Sequence, residues 1–316
     1  MRHSQTNRQQ AGGYTLIELL AVIAIIVLLA GLLLAALGRA RDAGPRVQTK
    51  AEIAELGKSV ENFKSTYQVQ YVPSALLLCS DYNAAAMANP TWAAALADSQ
   101  QFVKKVWPKL VFGAGGSFPP NTLIGLDGNQ VLLFLLGGVG TDGKFGGAWA
   151  GQRAGFLNSP TNPFNISSGV AYSPPSGDRA KGPFFDFKVD RIDPVFSHYL
   201  DVYGKEYYYF SSRNGNDYNH FGIYRPALNP TNLAGGFNAD GGYGGMSPFV
   251  GLDRKYIHSN SFQIISAGKD LQPGQGSPGG IPGGIYFDPG VGVYSPGSVG
   301  GDDLSNFHGG PLGGQN

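Results

Sequence analysis

The carboxylate of Glu18 stands alone in an apolar run that extends from Leu16 to Leu37. At about 1.5 Å of rise per residue, a helix of this length spans the roughly 30 Å hydrocarbon core of a bilayer. A lone ionisable group in such a segment costs on the order of a few kcal/mol, and such groups usually serve a function. Glu18 is therefore the first candidate functional residue.

Three further carboxylates lie near the C-terminus, namely Asp270, Asp302 and Asp303. Asp302 and Asp303 are adjacent, and two neighbouring aspartates repel each other unless a positive charge lies between them. This acidic loop is the second candidate site.

The segment before the apolar run is a polar leader with basic residues and no acid, and it ends in Gly12 and Gly13. It is not a secretory signal peptide, because there the apolar region precedes the cleavage site and is removed with it. Here the apolar run follows the glycines and would remain in the mature chain.

The order of leader, Gly13, aromatic Tyr14, apolar run and Glu18 resembles the class III leader of the type IV pilin and type II secretion pseudopilin superfamily. The resemblance implies that a prepilin peptidase cleaves after Gly13, which gives leader 1–13, and methylates the new amine of Tyr14. The family usually begins with Phe at this position. It further implies that Glu18 pairs with the amine of a neighbouring subunit and sets the register between subunits.

The acidic loop is similar to the C-terminal calcium loop of the major pseudopilin of type II secretion. That resemblance implies calcium as a cofactor, with Asp270, Asp302 and Asp303 as ligands and backbone carbonyls near Ile265 and Ser266 in support. About thirty residues separate the two acidic elements, whereas they lie close together in the family. Asp288 is therefore an alternative ligand, and an acidic turn without an ion is the other reading.

The element that positions Glu18 is predicted to be a long N-terminal helix over residues 14–67. Residues 14–38 are predicted to be its transmembrane part and residues 46–67 its amphipathic part. Apolar residues recur every three or four positions in its second half: Ile53, Leu56, Val60, Phe63 and Tyr67. Charged residues fill the other face: Lys50, Glu52, Glu55, Lys58, Glu61 and Lys64. Gly44 and Pro45 predict a break or kink, and two separate helices are the alternative.

Residues 68–198 are dense in loop-forming residues and are predicted to be a large insertion of mixed helix and loop. Within it, Ala84–Ala97 is predicted to be helical apart from an interruption at Asn89-Pro90. Val131–Leu136 is a short apolar run that fits either a buried strand or a buried helix.

Residues 199–316 are predicted to form an antiparallel β-sheet. Aromatic or apolar segments separated by turn residues indicate strands within 201–210, 261–268 and 285–287. The predicted fold class is α+β: a long N-terminal helix packed on a C-terminal antiparallel sheet, as in pilins, with a large loop-rich insertion.

Composition excludes several function classes. The formal net charge is +1 and charged residues are only 14% of the chain, so no basic surface supports nucleic-acid binding. The five histidines have no paired metal-ligand spacing, and no nucleophile motif of a known hydrolase class occurs. We therefore expect a protein that is not an enzyme.

The resemblance implies a single-pass inner-membrane subunit whose C-terminal body lies in the periplasm or outside the cell. Its expected partners are copies of itself, other pseudopilins, prepilin peptidase, the inner-membrane assembly platform and membrane lipid. The basic residues that follow the apolar run favour the opposite orientation by the positive-inside rule, which weakens when a long domain lies on one side. The alternatives are a surface pilin with an adhesive or cargo-binding insertion, and a pilin-anchored carbohydrate-binding protein or enzyme.

Overall fold

A computed structural model describes residues 15–88, 90–112, 123–140, 152–164, 180–195, 197–212, 246, 248–253, 255–274, 286–287 and 299–313. The chain divides into two compact units, Met1–Val47 and Gln48–Asn316.

Helix α1 is a single element of 52 residues, Leu16–Tyr67, with Pro45 inside it. The predicted break is therefore not a helix end, and the alternative of two separate helices does not hold. An interior proline costs about 3 kcal/mol, but alanine, leucine, arginine, lysine and glutamate on both sides of Pro45 favour the helix.

The first unit contains the apolar part of α1. Its 19 residues Leu16–Leu34 form a helix about 28 Å long, and none of that segment is buried. It is the one helix in the described part of the chain that is long and apolar enough to cross a membrane. An apolar surface of this extent is stable only against lipid or against other helices.

In the second unit the predicted apolar stripe of α1 is confirmed. All five of its residues are buried: Ile53, Leu56, Val60, Phe63 and Tyr67. They pack in one core with apolar residues from the segment 68–198 and from the sheet that follows it. The predicted insertion therefore contributes to the main core, in addition to a small cluster of its own around Leu77 and Tyr82.

The segment after α1 forms short elements around a central helix. Helix α2 is Tyr82–Ala88, a 3-10 turn spans Pro90–Trp92, and α3 is Ala93–Val106. This confirms a helical alanine-rich region that is interrupted next to Pro90. Strand β1, Leu76–Leu78, pairs antiparallel with β2, Ile124–Leu126.

The apolar run at Val131–Leu136 forms a helix and not a strand. Helix α4, Gly128–Gly137, begins at a capping box in which Asp127 Oδ1 accepts from the Gln130 N–H and Gln130 Oε1 accepts from the Asp127 N–H. The other oxygen of Asp127 lies 2.7 Å from His198 Nε2, so the cap is also tied to the loop before the sheet.

The main sheet is antiparallel with strand order β5-β7-β9, where β5 is Tyr208–Ser211, β7 is Phe262–Ser266 and β9 is Leu304–Ser305. Two-residue strands make the remaining pairs: β3 (Phe156–Leu157) with β4 (Ala180–Lys181), and β6 (Val250–Gly251) with β8 (Tyr286–Phe287). The β6–β8 pair is parallel. The predicted α+β class with a C-terminal antiparallel sheet is confirmed.

The sheet buries both of its faces. Tyr209 and Ile264 point into the main core with α1, whereas Tyr208 and Ile265 belong to a second core with Phe249 and residues of the C-terminal segment. This alternation follows from the two-residue period of a strand. The aromatic run in β5 is therefore core, and it positions the loops at the ends of the sheet.

Candidate functional site

The N-terminal site lies in the first turn of α1. The Thr15 backbone N–H and hydroxyl both donate to Glu18 Oε2, at 2.8 and 2.9 Å, and the Glu18 N–H donates to Thr15 Oγ1 at 3.3 Å. This is a capping box, and the Thr-Leu-Ile-Glu sequence carries its signature. Both residues are exposed in the single chain, so Glu18 is accessible to a neighbour. Gly13 and Tyr14, the predicted processing residues, lie outside the described residues.

The structure brings the two acidic elements together across the intervening thirty residues. Asp302 Oδ2 accepts from the backbone N–H groups of Lys269 and Asp270, at 2.5 and 3.0 Å. Asp303 Oδ2 accepts from the Gly274 N–H at 2.9 Å. These carboxylates therefore fasten the loop after β7 to the segment before β9.

Asp303 is the buried member of this pair. Its side chain is fully buried, and its Oδ1 has no hydrogen-bond partner within the described part of the chain. Burial, together with the negative charges of Asp302 and Asp270, raises the pKa of Asp303 to about 8. Such a carboxyl stays neutral at pH 7 unless a cation approaches it.

No three histidine, cysteine, aspartate or glutamate side chains within the described ranges are grouped so that they could hold a metal ion. Asp270 lies at the exposed edge of the loop, and its Oδ1 accepts from the Gln272 N–H. Ile265 and Ser266 lie in β7 and pair with β9. Asp288 lies outside the described residues. Calcium binding by these ligands stays a prediction.

A turn that begins at Asp201 contacts the end of β7, next to the acidic loop. Asp201 Oδ1 accepts from the N–H groups of Tyr203 and Lys205, both at 2.9 Å, and Oδ2 accepts from the Ser266 hydroxyl at 2.5 Å. Burial raises the pKa of Asp201, against the lowering effect of these hydrogen bonds. The turn thereby fixes the end of β7, from which the acidic loop departs.

Sequence reasoning missed a buried ionic cluster on α1. Glu52, predicted on the charged face, is only 8% exposed. Arg191 Nη1 and Nη2 donate to Glu52 Oε1 and Oε2 at 2.8 and 2.7 Å, and the hydroxyls of Tyr199 and Tyr207 donate to the same oxygens at 2.8 and 2.6 Å. The Arg191 guanidinium also lies 4.7 Å from the centre of the Tyr199 ring. We call Glu52, Arg191, Tyr199 and Tyr207 the Glu52 cluster.

The hydrogen bonds of the Glu52 cluster decide its protonation. Burial alone would raise the pKa of Glu52, but the bonds from Arg191, Tyr207 and Tyr199 outweigh it and hold that pKa below its ordinary value. Glu52 lies four residues before Leu56 and eight before Val60, in one row of the helix with buried residues. That spacing was the available signal for its burial.

A second tie joins α1 to the C-terminal segment. The ammonium of Lys50 donates to the backbone carbonyls of Ser305 and His308. The helix is thus fastened to the end of β9 and to the segment that follows it, a few residues from Asp303.

Comparison with known proteins gives one match. A family model of the prokaryotic N-terminal methylation motif matches residues 8–34, which include the predicted cleavage site, Glu18 and the whole exposed apolar segment Leu16–Leu34. No curated protein and no solved structure matches the chain. The motif implies processing by prepilin peptidase and filament assembly in general, and with the one apolar helix it supports a membrane-anchored, type IV pilin-like protein.

Proposed function

We propose that this chain is a structural subunit of a type II secretion pseudopilus or a type IV pilus-like filament, with no catalytic role. The observation that carries the proposal is the methylation motif at residues 8–34, which includes the apolar helix segment Leu16–Leu34, where no residue is buried by the described part of the chain. Lipid covers such a helix before assembly, and copies of the same helix cover it afterwards.

Glu18 sets the register between copies in this proposal. Cleavage after Gly13 gives Tyr14 a cationic amine, two residues before α1 begins at Leu16. A single carboxylate among apolar side chains is energetically costly unless it is paired with a positive charge. Helices that pack side by side are therefore most stable at the axial offset that places Glu18 of one copy beside the amine of the next copy. In the isolated chain Glu18 bonds to Thr15 through Oε2.

The partners in this proposal are prepilin peptidase, the inner-membrane assembly platform, other pseudopilins and copies of this chain. The body, residues 48–316, would lie in the periplasm or outside the cell. Two ties fasten the second half of α1, which is part of this body, to later segments of the body, namely the Glu52 cluster and Lys50. They would make the body move with the helix when a filament grows.

A Glu18→Ala variant expressed in the native host tests the assembly role. We expect normal cleavage and methylation at Tyr14 by mass spectrometry, but loss of filaments and of crosslinks between copies. Glu55→Ala removes an exposed acid from the same helix outside the apolar segment and should assemble normally.

A mature chain that still begins at Met1 contradicts the proposal, as does unimpaired assembly of the Glu18→Ala variant. A pilin-anchored adhesin, carbohydrate-binding protein or enzyme would keep its activity in that variant, because its anchor would still hold it in the membrane.

We further propose that calcium stabilises the acidic loop. One observation supports an ion here. Asp303 Oδ1 is a buried oxygen with no hydrogen-bond partner among the described residues, and the carboxyl group needs a nearby cation to ionise at neutral pH. Asp303 would hold the ion, with Asp302 and Asp270 as the further candidate ligands, and a bound calcium would supply the positive charge that these carboxylates lack. Stabilisation by calcium that disappears in Asp303→Asn would support this role.

A further inference from the structure

A small cavity lies in the second unit where the end of α1, the end of α3, and strands β3 and β4 meet. Its volume is about 130 Å³. The side chains that matter for binding are those of Tyr67, Trp107, Leu157, Asn158, Ser159 and Lys181. An apolar cavity of about 150 Å³ is known to accommodate benzene, so this one has room for a ligand body of roughly one six-membered ring.

Among the described residues, the lining of the cavity carries one positive charge and no negative one. The charge is that of Lys181, whose ammonium lies 5.4 Å from the centre of the Tyr67 ring. Lys181 makes no ion pair with any described residue. The face of an aromatic ring attracts a cation but leaves its hydrogen bonds unused, so Lys181 can still pair with an anion.

The other polar groups are few. Tyr67 contributes a buried hydroxyl and Asn158 contributes an amide. Ser159 contributes a hydroxyl whose oxygen already accepts from the Asn162 N–H at 3.2 Å. Trp107 and Leu157 supply apolar surface. A sugar ring would bury several hydroxyls that this lining cannot satisfy, and each unsatisfied hydroxyl costs about 1–3 kcal/mol. An apolar body with one charged group fits better.

We propose that this cavity binds a compact monocarboxylate whose apolar body is about one ring in size. Its carboxylate pairs with Lys181, and its body contacts Trp107 and Leu157. The inference goes beyond the filament role and does not depend on it, because neither the cavity nor Lys181 belongs to the N-terminal motif.

The test uses the full chain in lipid nanodiscs and saturation-transfer NMR with benzoate as the probe. Benzamide has the same ring and no charge, and glucuronate has the charge on a polar ring; empty nanodiscs correct for partition into lipid. We expect benzoate to bind at least tenfold more tightly than either comparison ligand. Lys181→Met should lower benzoate affinity about tenfold or more, Lys181→Arg should retain it, and the exposed-site control Lys188→Met should leave it unchanged.

Absence of benzoate binding overturns the proposal, and so does equal affinity for benzoate and benzamide in the unaltered chain. Tighter binding of glucuronate overturns the apolar part of the assignment. The comparison of the three ligands needs no variant, so it decides the question even if Lys181→Met lowers the melting temperature.

Discussion

Replacing Glu52 by glutamine should destabilise the second unit more than any other single change on the charged face of α1. Glutamine keeps the shape of the side chain but leaves the Arg191 guanidinium, whose side chain is 15% exposed, without its counter-ion. Breaking a buried pair by removing one partner typically costs about 3–5 kcal/mol. The amide also has one acceptor oxygen in place of two, so one of the hydroxyls of Tyr199 and Tyr207 loses its acceptor, which adds to that cost.

Thermal unfolding of the full chain in nanodiscs, followed by circular dichroism, measures the effect. At about 2–4 °C per kcal/mol for a domain of this size, we expect the melting temperature to fall by about 10 °C. Glu55→Gln is the matched control, because Glu55 is an exposed acid three residues further along α1 and should change stability by less than about 0.5 kcal/mol.

A double variant separates the charge effect from general damage. Glu52→Gln combined with Arg191→Met removes both charges, so its destabilisation should be smaller than the sum of the two single effects. The reasoning is refuted if Glu52→Gln and Glu55→Gln melt within about 2 °C of each other, or if the two single effects simply add.

Two further predictions concern the acidic loop. In the folded chain the pKa of Asp303 is about 8, whereas in the unfolded chain an aspartate has a pKa of about 4. Between these two pH values the folded chain binds one more proton than the unfolded chain. Without calcium, the free energy of unfolding should therefore fall by about 1.4 kcal/mol for each pH unit of increase. Denaturant titrations at several pH values should show this slope when a chelator is present. The slope should disappear when calcium is added and should be absent in Asp303→Asn. An identical pH profile for the parent and the variant would disprove the argument that Asp303 is buried and protonated. Gly268→Ala should cost about 2–4 kcal/mol, because Gly268 has φ +70° and a Cβ would lie 2.5 Å from the Asp302 carbonyl oxygen. Gly204→Ala, with φ +90° and open space around it, should cost only about 1–2 kcal/mol, and equal losses would exclude the clash.

Local patterns predicted the parts of the fold that depend on nearby residues. The amphipathic spacing of α1 located its buried stripe, and the proline at position 90 located the end of α2. The six apolar residues of Val131–Leu136 were ambiguous, because helix and strand bury such a run equally well. The capping box at Asp127 and Gln130 was the signal that decides for the helix.

Long-range partners could not be predicted in this way. Glu52 finds its counter-ion 139 residues later in the chain, at Arg191. The pairing of Asp302 with the backbone after β7 spans more than thirty residues and depends on the register of β7 with β9. Sequence spacing alone does not show that Glu52 lies beside Arg191 or that Asp302 lies beside the loop after β7. The resemblance of the two acidic elements to one loop did indicate that those two elements lie close together.

The contacts of Lys50 have a consequence for biosynthesis. Its two acceptors lie 255 and 258 residues downstream, so they do not exist until the ribosome has added that many residues. The second half of α1 therefore emerges long before these two acceptors, and contacts this distant in sequence form slowly. Loss of β9 and the residues after it would remove both contacts of Lys50, whereas the Glu52 cluster and the core contacts with residues 68–198 would still hold this part of α1, so the Lys50 contacts can only complete a docking that earlier segments begin.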